Sequence, residues 1–192
     1  MINLVKGQKI DLTKKTQLKR INVGLGWDAV EGKGEAVDCD ASCVCLGANG
    51  MMVSQQVPQS VVYFGNTKLY GIRHSGDNRT GAGEGDDETI EIDLTDIPSS
   101  VQKIVVFMNI YKGDEKGQSL AALKNAYIRL YNPDSNEEIC KFNMDDTSPT
   151  ATGMIAGEIY RNDGEWKFAA VGEALKDASY VGTILKRFGY QG

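Results

Sequence analysis

Apolar residues along this chain come in short runs, many of them β-branched, and glycine, asparagine and aspartate break the runs apart. Alternating runs bounded by such turn formers predict strands rather than helices. The pattern predicts strands over 17–24, 35–46, 60–64, 68–74, 89–94, 103–110, 125–131, 138–143, 154–161 and 166–171. Asn162-Asp163-Gly164 separates the last two and is a strong hairpin turn. Asn132-Pro133-Asp134-Ser135-Asn136 likewise separates two antiparallel runs. Short strands at spacings of about 8–12 residues point to an all-β fold, a two-sheet antiparallel β-sandwich. The full span 1–192 reads as one domain. Helical periodicity is confined to the end of the chain. From Glu173 onward, Leu175, Ala178, Val181, Leu185 and Phe188 recur at steps of three and four, and Gly189 follows as a stop. Residues 119–124 suit one short helical turn.

One strand is unusually readable. Val37, Cys39, Ala41, Cys43 and Cys45 alternate with Asp38, Asp40 and Ser42. Alternate residues of a strand share a face, so the small apolar set faces the core and the two aspartates share the other face. Two strand rises put Asp38 and Asp40 about 7 Å apart. Carboxylates held that close repel one another unless a cation or a proton intervenes.

Charge narrows the function classes. The chain carries 21 Lys and Arg against 26 Asp and Glu, a formal charge of −5. That balance argues against a nucleic-acid partner, which calls for a basic face. No run approaches the roughly 18 apolar residues of a membrane span, and the N-terminal stretch, with Lys6, Lys9 and Asp11, lacks a secretory apolar core. Stable membrane insertion is not expected. The four cysteines, Cys39, Cys43, Cys45 and Cys140, read as buried reduced thiols, and the chain as cytoplasmic.

The densest chemical feature runs from His74 to Glu88. Between His74 and Asp96 lie eight acidic residues and one arginine, and four glycines fall between Gly76 and Gly85. Hard cations take about six to eight oxygens from carboxylates, amides and backbone carbonyls, and glycines let a loop turn its carbonyls inward. Calcium tolerates irregular loops better than magnesium does. The competing reading is a solvated acidic hairpin loop. An EF-hand is excluded, because Arg79 and Gly81 stand at ligand positions and Ala82 stands where glycine is required. Gly81-Ala82-Gly83-Glu84-Gly85 also lacks the spacing of a phosphate-binding loop.

Several segments together resemble a known family. They are Gly24-Leu25-Gly26-Trp27-Asp28, Asp38-Cys39-Asp40-Ala41-Ser42, and His74-Ser75-Gly76-Asp77-Asn78-Arg79-Thr80-Gly81 leading into Gly85-Asp86-Asp87-Glu88. Asn109-Ile110-Tyr111, Asn125-Ala126-Tyr127-Ile128-Arg129 and Gly157-Glu158-Ile159-Tyr160-Arg161 follow in order, then Gly164-Glu165-Trp166-Lys167-Phe168 and Ala170-Val171-Gly172. In this order they resemble the TerD-type tellurium-resistance and stress proteins over nearly the whole chain. The resemblance implies a β-sandwich that binds two calcium ions through acidic loops at one end. Carried over by motif, it implies Asp28, Asp38, Asp40, Asp77, Asn78, Asp86, Asp87 and Glu88 as ligands, with backbone carbonyls of Gly76 and Gly85. It further implies a stress-response scaffold or sensor with other Ter-type proteins as partners.

Other residues add little. Trp27 reads as a packing anchor for the loop beside it, and Trp166 and Phe168 share a core-facing strand face. His74 lacks a paired nucleophile and reads as a hydrogen-bonded loop residue. No catalytic constellation is recognisable, so no enzyme is expected. Two alternatives stay open: a divalent-metal-dependent enzyme acting on a phosphorylated substrate, and a calcium-dependent membrane binder. The first has only His74, Arg73 and Arg79 to call on. The second has only Ala82 and Met51-Met52 as apolar tips.

Overall fold

The computed structural model describes residues 2–14, 17–29, 37–77, 85–144 and 149–192. Among the described residues, thirteen strands form two sheets. They are β1 (Ile2–Leu4), β2 (Lys9–Asp11), β3 (Arg20–Ala29), β4 (Cys39–Leu46), β5 (Val61–Val62), β6 (Lys68–Leu69) and β7 (Ile72–His74). After these come β8 (Glu88–Asp93), β9 (Lys103–Ile110), β10 (Leu123–Tyr131), β11 (Glu138–Asn143), β12 (Gly153–Asn162) and β13 (Glu165–Leu175). The first sheet has the order β1-β11-β10-β3-β8-β7-β6, and the second the order β2-β13-β12-β9-β4-β5. All pairings are antiparallel except β1 with β11. The expected all-β sandwich is what the chain forms.

Most of the strand pattern holds, and the departures have local causes. The Asn162–Gly164 turn closes β12 on β13 with Asp163 at φ 54° and Gly164 at φ 81°, the positive pair a type I′ hairpin needs. The run 68–74 splits into a hairpin, because Tyr70-Gly71 turns the chain and pairs Leu69 with Ile72. β3 lies further along than 17–24, since it runs through Gly24 and Gly26 rather than ending there. A Cβ on Gly24 would collide with the Asp86 carboxylate, and one on Gly26 would lie 2.5 Å from the Tyr127 ring. Those glycines make room for close side chains above the strand, so they continue it instead of breaking it. β1 and β2, of three residues each, carry no alternation to find. They enter opposite sheets across a turn at Val5–Gln8.

The C-terminal helix is shorter than its periodicity predicts. Leu175 ends β13, and the helix α2 spans only Val181–Leu185, continued by a tighter turn to Phe188 and stopped by Gly189 at φ 86°. The expectation from Glu173 fails because Leu175 and Ala178 are buried on the same patch by strand and loop, and only later by helix. A short 3₁₀ turn at Leu120–Ala122 falls within 119–124 as expected, and a single helical turn, α1 (Gly113–Lys116), is additional.

Two apolar layers result. The main core lies between the sheets and includes Ile21, Val23, Leu25 and Trp27 of β3 and Trp166 and Phe168 of β13. A second cluster covers the outer face of the second sheet, where Val44, Leu46 and Phe107 pack under Ile184 and Leu185 of α2. β4 is therefore buried on both faces. Its Cys39, Ala41, Cys43 and Cys45 face the main core, as the alternation predicts.

A candidate metal centre at one end of the sandwich

Antiparallel register brings five chain segments to one end. β4 begins where β9 ends, through the pair Asp40 and Asn109. β8 begins where β7 and β3 end, through His74 with Ile90 and Leu25 with Glu88. The acidic motifs of the sequence lie on these ends, so pairing within each sheet and packing of the two sheets on one another gather them.

Asp38, Asp40 and Asp77 converge. Each offers one carboxylate oxygen, and the three atoms lie within 4.8 Å of one another. Asp38 is half-buried, Asp40 buried and Asp77 exposed, so the group opens outward from a buried floor. Asp40 is only 3% exposed, and its Oδ2 accepts no hydrogen bond among the described residues. A buried carboxylate oxygen without a donor is costly, by about 1–3 kcal/mol or more for a charged group. Burial first, then the charges of Glu88, Asp38 and Asp77, push the Asp40 carboxyl up to about 7. This is the repulsion expected of crowded carboxylates, and a hard cation relieves it.

The remaining predicted ligands are placed differently. Glu88 is buried, accepts the Ala41 amide at 2.6 Å, and lies 3.3 Å from His74 Nε2. His74 Nε2 also bonds the Ala41 carbonyl at 3.0 Å, and its Nδ1 accepts the Gly76 amide at 3.0 Å. The reason is backbone accounting. Ala41 points its N–H and C=O away from β9, and β5 pairs only with Cys43 and Val44. Glu88 and His74 thus complete the ladder where no strand reaches. His74 is a hydrogen-bonded structural residue, as expected. Glu88→Ala strands the Ala41 amide and is expected to lower stability by about 2–3 kcal/mol in a urea titration, the worth of a buried bond to a charged group.

Asp86 stands apart from the trio. Its two oxygens take Arg129 Nε at 2.7 Å and Nη2 at 2.9 Å, and Tyr127 adds its hydroxyl at 3.0 Å. This fork-on-fork pair lies over Gly24 and ties β8's approach to β10. Asp87 accepts the Trp27 amide at 2.8 Å, and Asp28 accepts the Asn125 side chain at 2.6 Å. Burial raises the Asp87 carboxyl, the Trp27 bond lowers it, and the nearby charges of Asp28, Glu88 and Asp86 raise it again. Asp28 and Asp87 therefore form a second, smaller acidic neighbourhood. Gly76 and Gly85 both have positive φ, 114° and 98°, a backbone conformation that favours glycine in a turn. Asn78 lies outside the described residues.

The cysteines do not join the centre. All four are free and buried. Burial pushes the Cys45 and Cys140 thiols up to about 12, and raises Cys39 and Cys43 as well. A thiol so disfavoured as thiolate is a poor soft-metal ligand. Trp27, 2% exposed in the main core, is the packing anchor it was expected to be.

Sequence reasoning assigned no role to Asn109, Tyr111, Tyr127 or Arg129, although each lies in a quoted motif. Tyr63, Phe64 and Tyr180 also border the site and carried no local signal. Only the tertiary fold sets them beside the carboxylates.

A β-sandwich with a carboxylate cluster at the joined ends of its two sheets defines an acidic-site β-sandwich protein. Comparison with known proteins names the family. The TerD domain model matches residues 1–188, and the chain belongs to the TerD family. It is 43% identical over 190 residues to stress response protein SCP2 of Bacillus subtilis, covering 92% of this chain and 94% of that protein. It is 39% identical over 191 residues to tellurium resistance protein TerD of Serratia marcescens, covering 98% and 97%. A Streptomyces coelicolor crystal structure, described as a homologue of telluride resistance protein (TerD), superposes with a TM-score of 0.61 at 22% identity. It covers 83% of this chain and 92% of that one, and supports the shared fold. No helix among the described residues is long and apolar enough to cross a membrane.

Proposed function

We propose that this protein is a calcium-binding module of the stress and tellurium-resistance response, acting as a scaffold or sensor rather than as an enzyme. The observation that carries the reading is the convergence of Asp38, Asp40 and Asp77, with Asp40 holding a buried oxygen that accepts no hydrogen bond among the described residues. Donors that are all oxygen suit a hard cation, and calcium tolerates irregular geometry where magnesium demands an octahedron. The names of the relatives from Bacillus subtilis and Serratia marcescens supply the biological setting, and Ter-type proteins of the same cell are the proposed partners, in the cytoplasm. A second ion, for two per chain, is assigned to the neighbourhood of Asp28 and Asp87.

The test is calorimetry on chelated protein, titrated with calcium alone and then against excess magnesium. Heat at millimolar calcium or below, persisting in magnesium, is expected; no heat at millimolar calcium overturns the reading. The Asp86–Arg129 pair gives an internal control. Asp86→Ala is expected to lower stability by about 1–3 kcal/mol, because it removes the two-pronged partner of a partly buried guanidinium and leaves it only Glu138 at 3.3 Å. Calcium affinity at the trio is expected to survive it. A folded Asp86→Ala protein that loses all calcium binding would move Asp86 into the metal site.

A further inference from the structure

Beside the carboxylate trio lies a cavity of about 340 Å³ that meets the proposed calcium centre only at Asp40. Its size is at the small end of ligand sites, which are mostly apolar with a few convergent polar groups. Aromatic rings wall it. Tyr63 and Phe64 meet edge to face at 5.3 Å, Phe64 and Tyr111 at 6.5 Å, and Tyr111 and Tyr180 at 5.8 Å. The rings stand at 72–85° to their neighbours, the arrangement of a cage rather than a stack. Phe64 is 42% exposed and Tyr180 40% exposed, so large apolar surface stands open at the mouth.

Besides the tyrosines, two polar side chains line the same cavity, and both are almost wholly buried. Asp40 is 3% exposed and Asn109 1% exposed. Asn109 Nδ2 donates to the Ser179 carbonyl at 3.3 Å, which orients the amide. Asn109 Oδ1 and Asp40 Oδ2 then remain as acceptors with no donor among the described residues. The two residues are direct cross-strand partners on β9 and β4. No Lys or Arg among the described residues lines the cavity. What the floor lacks is a hydrogen-bond donor with positive charge, and what the walls supply is aromatic rings, whose faces attract one. Tyr111 already draws a cation in this way, the Lys112 ammonium at 5.4 Å from its ring centroid. A bare metal ion would find carbon on most of these walls; an organic cation finds both its charge partner and its apolar contact.

We propose that this cavity binds a small organic ammonium compound, an aryl- or alkylamine, with its nitrogen on Asp40 and Asn109 and its carbon body among Tyr63, Phe64, Tyr111 and Tyr180. The site shares Asp40 with the proposed calcium centre but does not depend on a metal. The experiment is therefore run in chelator, where its failure leaves the calcium reading standing. Phenethylammonium, 3-phenylpropionate and 2-phenylethanol are titrated into isotope-labelled protein and followed by amide NMR shifts. Phenethylammonium is expected to move the Asn109 side-chain amide and the Tyr111 backbone amide in a saturable way. The carboxylate and the alcohol are expected to bind at least about tenfold more weakly, because they lose the charge on the buried acceptors and rings. Asn109→Leu is expected to abolish the effect; should it not fold, the exposed Phe64→Ala variant serves, and is expected to weaken binding several-fold. Equal binding of ammonium and carboxylate overturns the proposal. So do shifts that map away from the cavity, or Phe64→Ala protein that binds like the parent.

Discussion

Asp40→Asn is expected to lower calcium affinity by about 100-fold, which is ~2.7 kcal/mol. The substitution keeps shape but removes a charge from a site whose affinity follows ligand charge. Asp40 is the critical member because it is the buried one of the three, with the least water to replace the lost interaction. Its sequence neighbour is the control. Cys39 points into the main core, on the opposite face of β4, so Cys39→Ser is expected to leave calcium affinity nearly unchanged. It is expected instead to lower stability by about 1–3 kcal/mol, the price of an unpaired buried hydroxyl. Calorimetry and denaturant melts on the two variants read these effects separately. If Cys39→Ser abolished calcium binding in folded protein while Asp40→Asn did not, the thiols would belong to the site.

Removing calcium is expected to lower the melting temperature by about 5–10 °C. A ligand that binds only the native state at one hundred times its Kd adds about 2.7 kcal/mol. For a chain of this length each kcal/mol shifts the midpoint by about 2–4 °C. The structural reason is the crowding at one end of the sandwich, where Asp38, Asp40, Asp77 and Glu88 act on one another and the Asp40 carboxyl is driven up. Scanning calorimetry in chelator and in saturating calcium checks this, and coincident midpoints would remove calcium from the native state. The same comparison on Asp40→Asn is expected to show little difference between the two conditions.

The strands were legible where alternation ran long enough to assign a face. β9 and β11 lie where their patterns put them, and β4 divides its residues between two layers as its cysteines and aspartates indicate. β3 was displaced because glycine in a sequence carries no mark of what will close over it. Gly24 and Gly26 could be placed within a strand only once Asp86 and Tyr127 were seen above them. The C-terminal helix was overdrawn for a related reason. Steps of three and four among Leu175, Ala178 and Val181 satisfy a helix, but burial on one patch can also be met by a strand end, a loop and a helix in turn.

The sequence by itself determined which residues carry the chemistry: a family signature, an acidic loop, and two aspartates on one strand face, all set by local order and the two-residue period of a strand. It could not separate the aspartates by role, because an isolated carboxylate looks the same whether it meets a cation, an arginine or a backbone amide. Tertiary structure decided that. Register within each sheet gave Asp86 to Arg129, and the packing of one sheet on the other joined Asp38 and Asp40 to Asp77 and turned Glu88 to the open backbone of Ala41. The fold also drew Tyr63, Tyr111 and Tyr180, remote from one another along the chain, into one wall over Asp40 and Asn109. Those assignments depend on which strand ends meet, and pairing over such separations is a property of the whole sheet rather than of any segment.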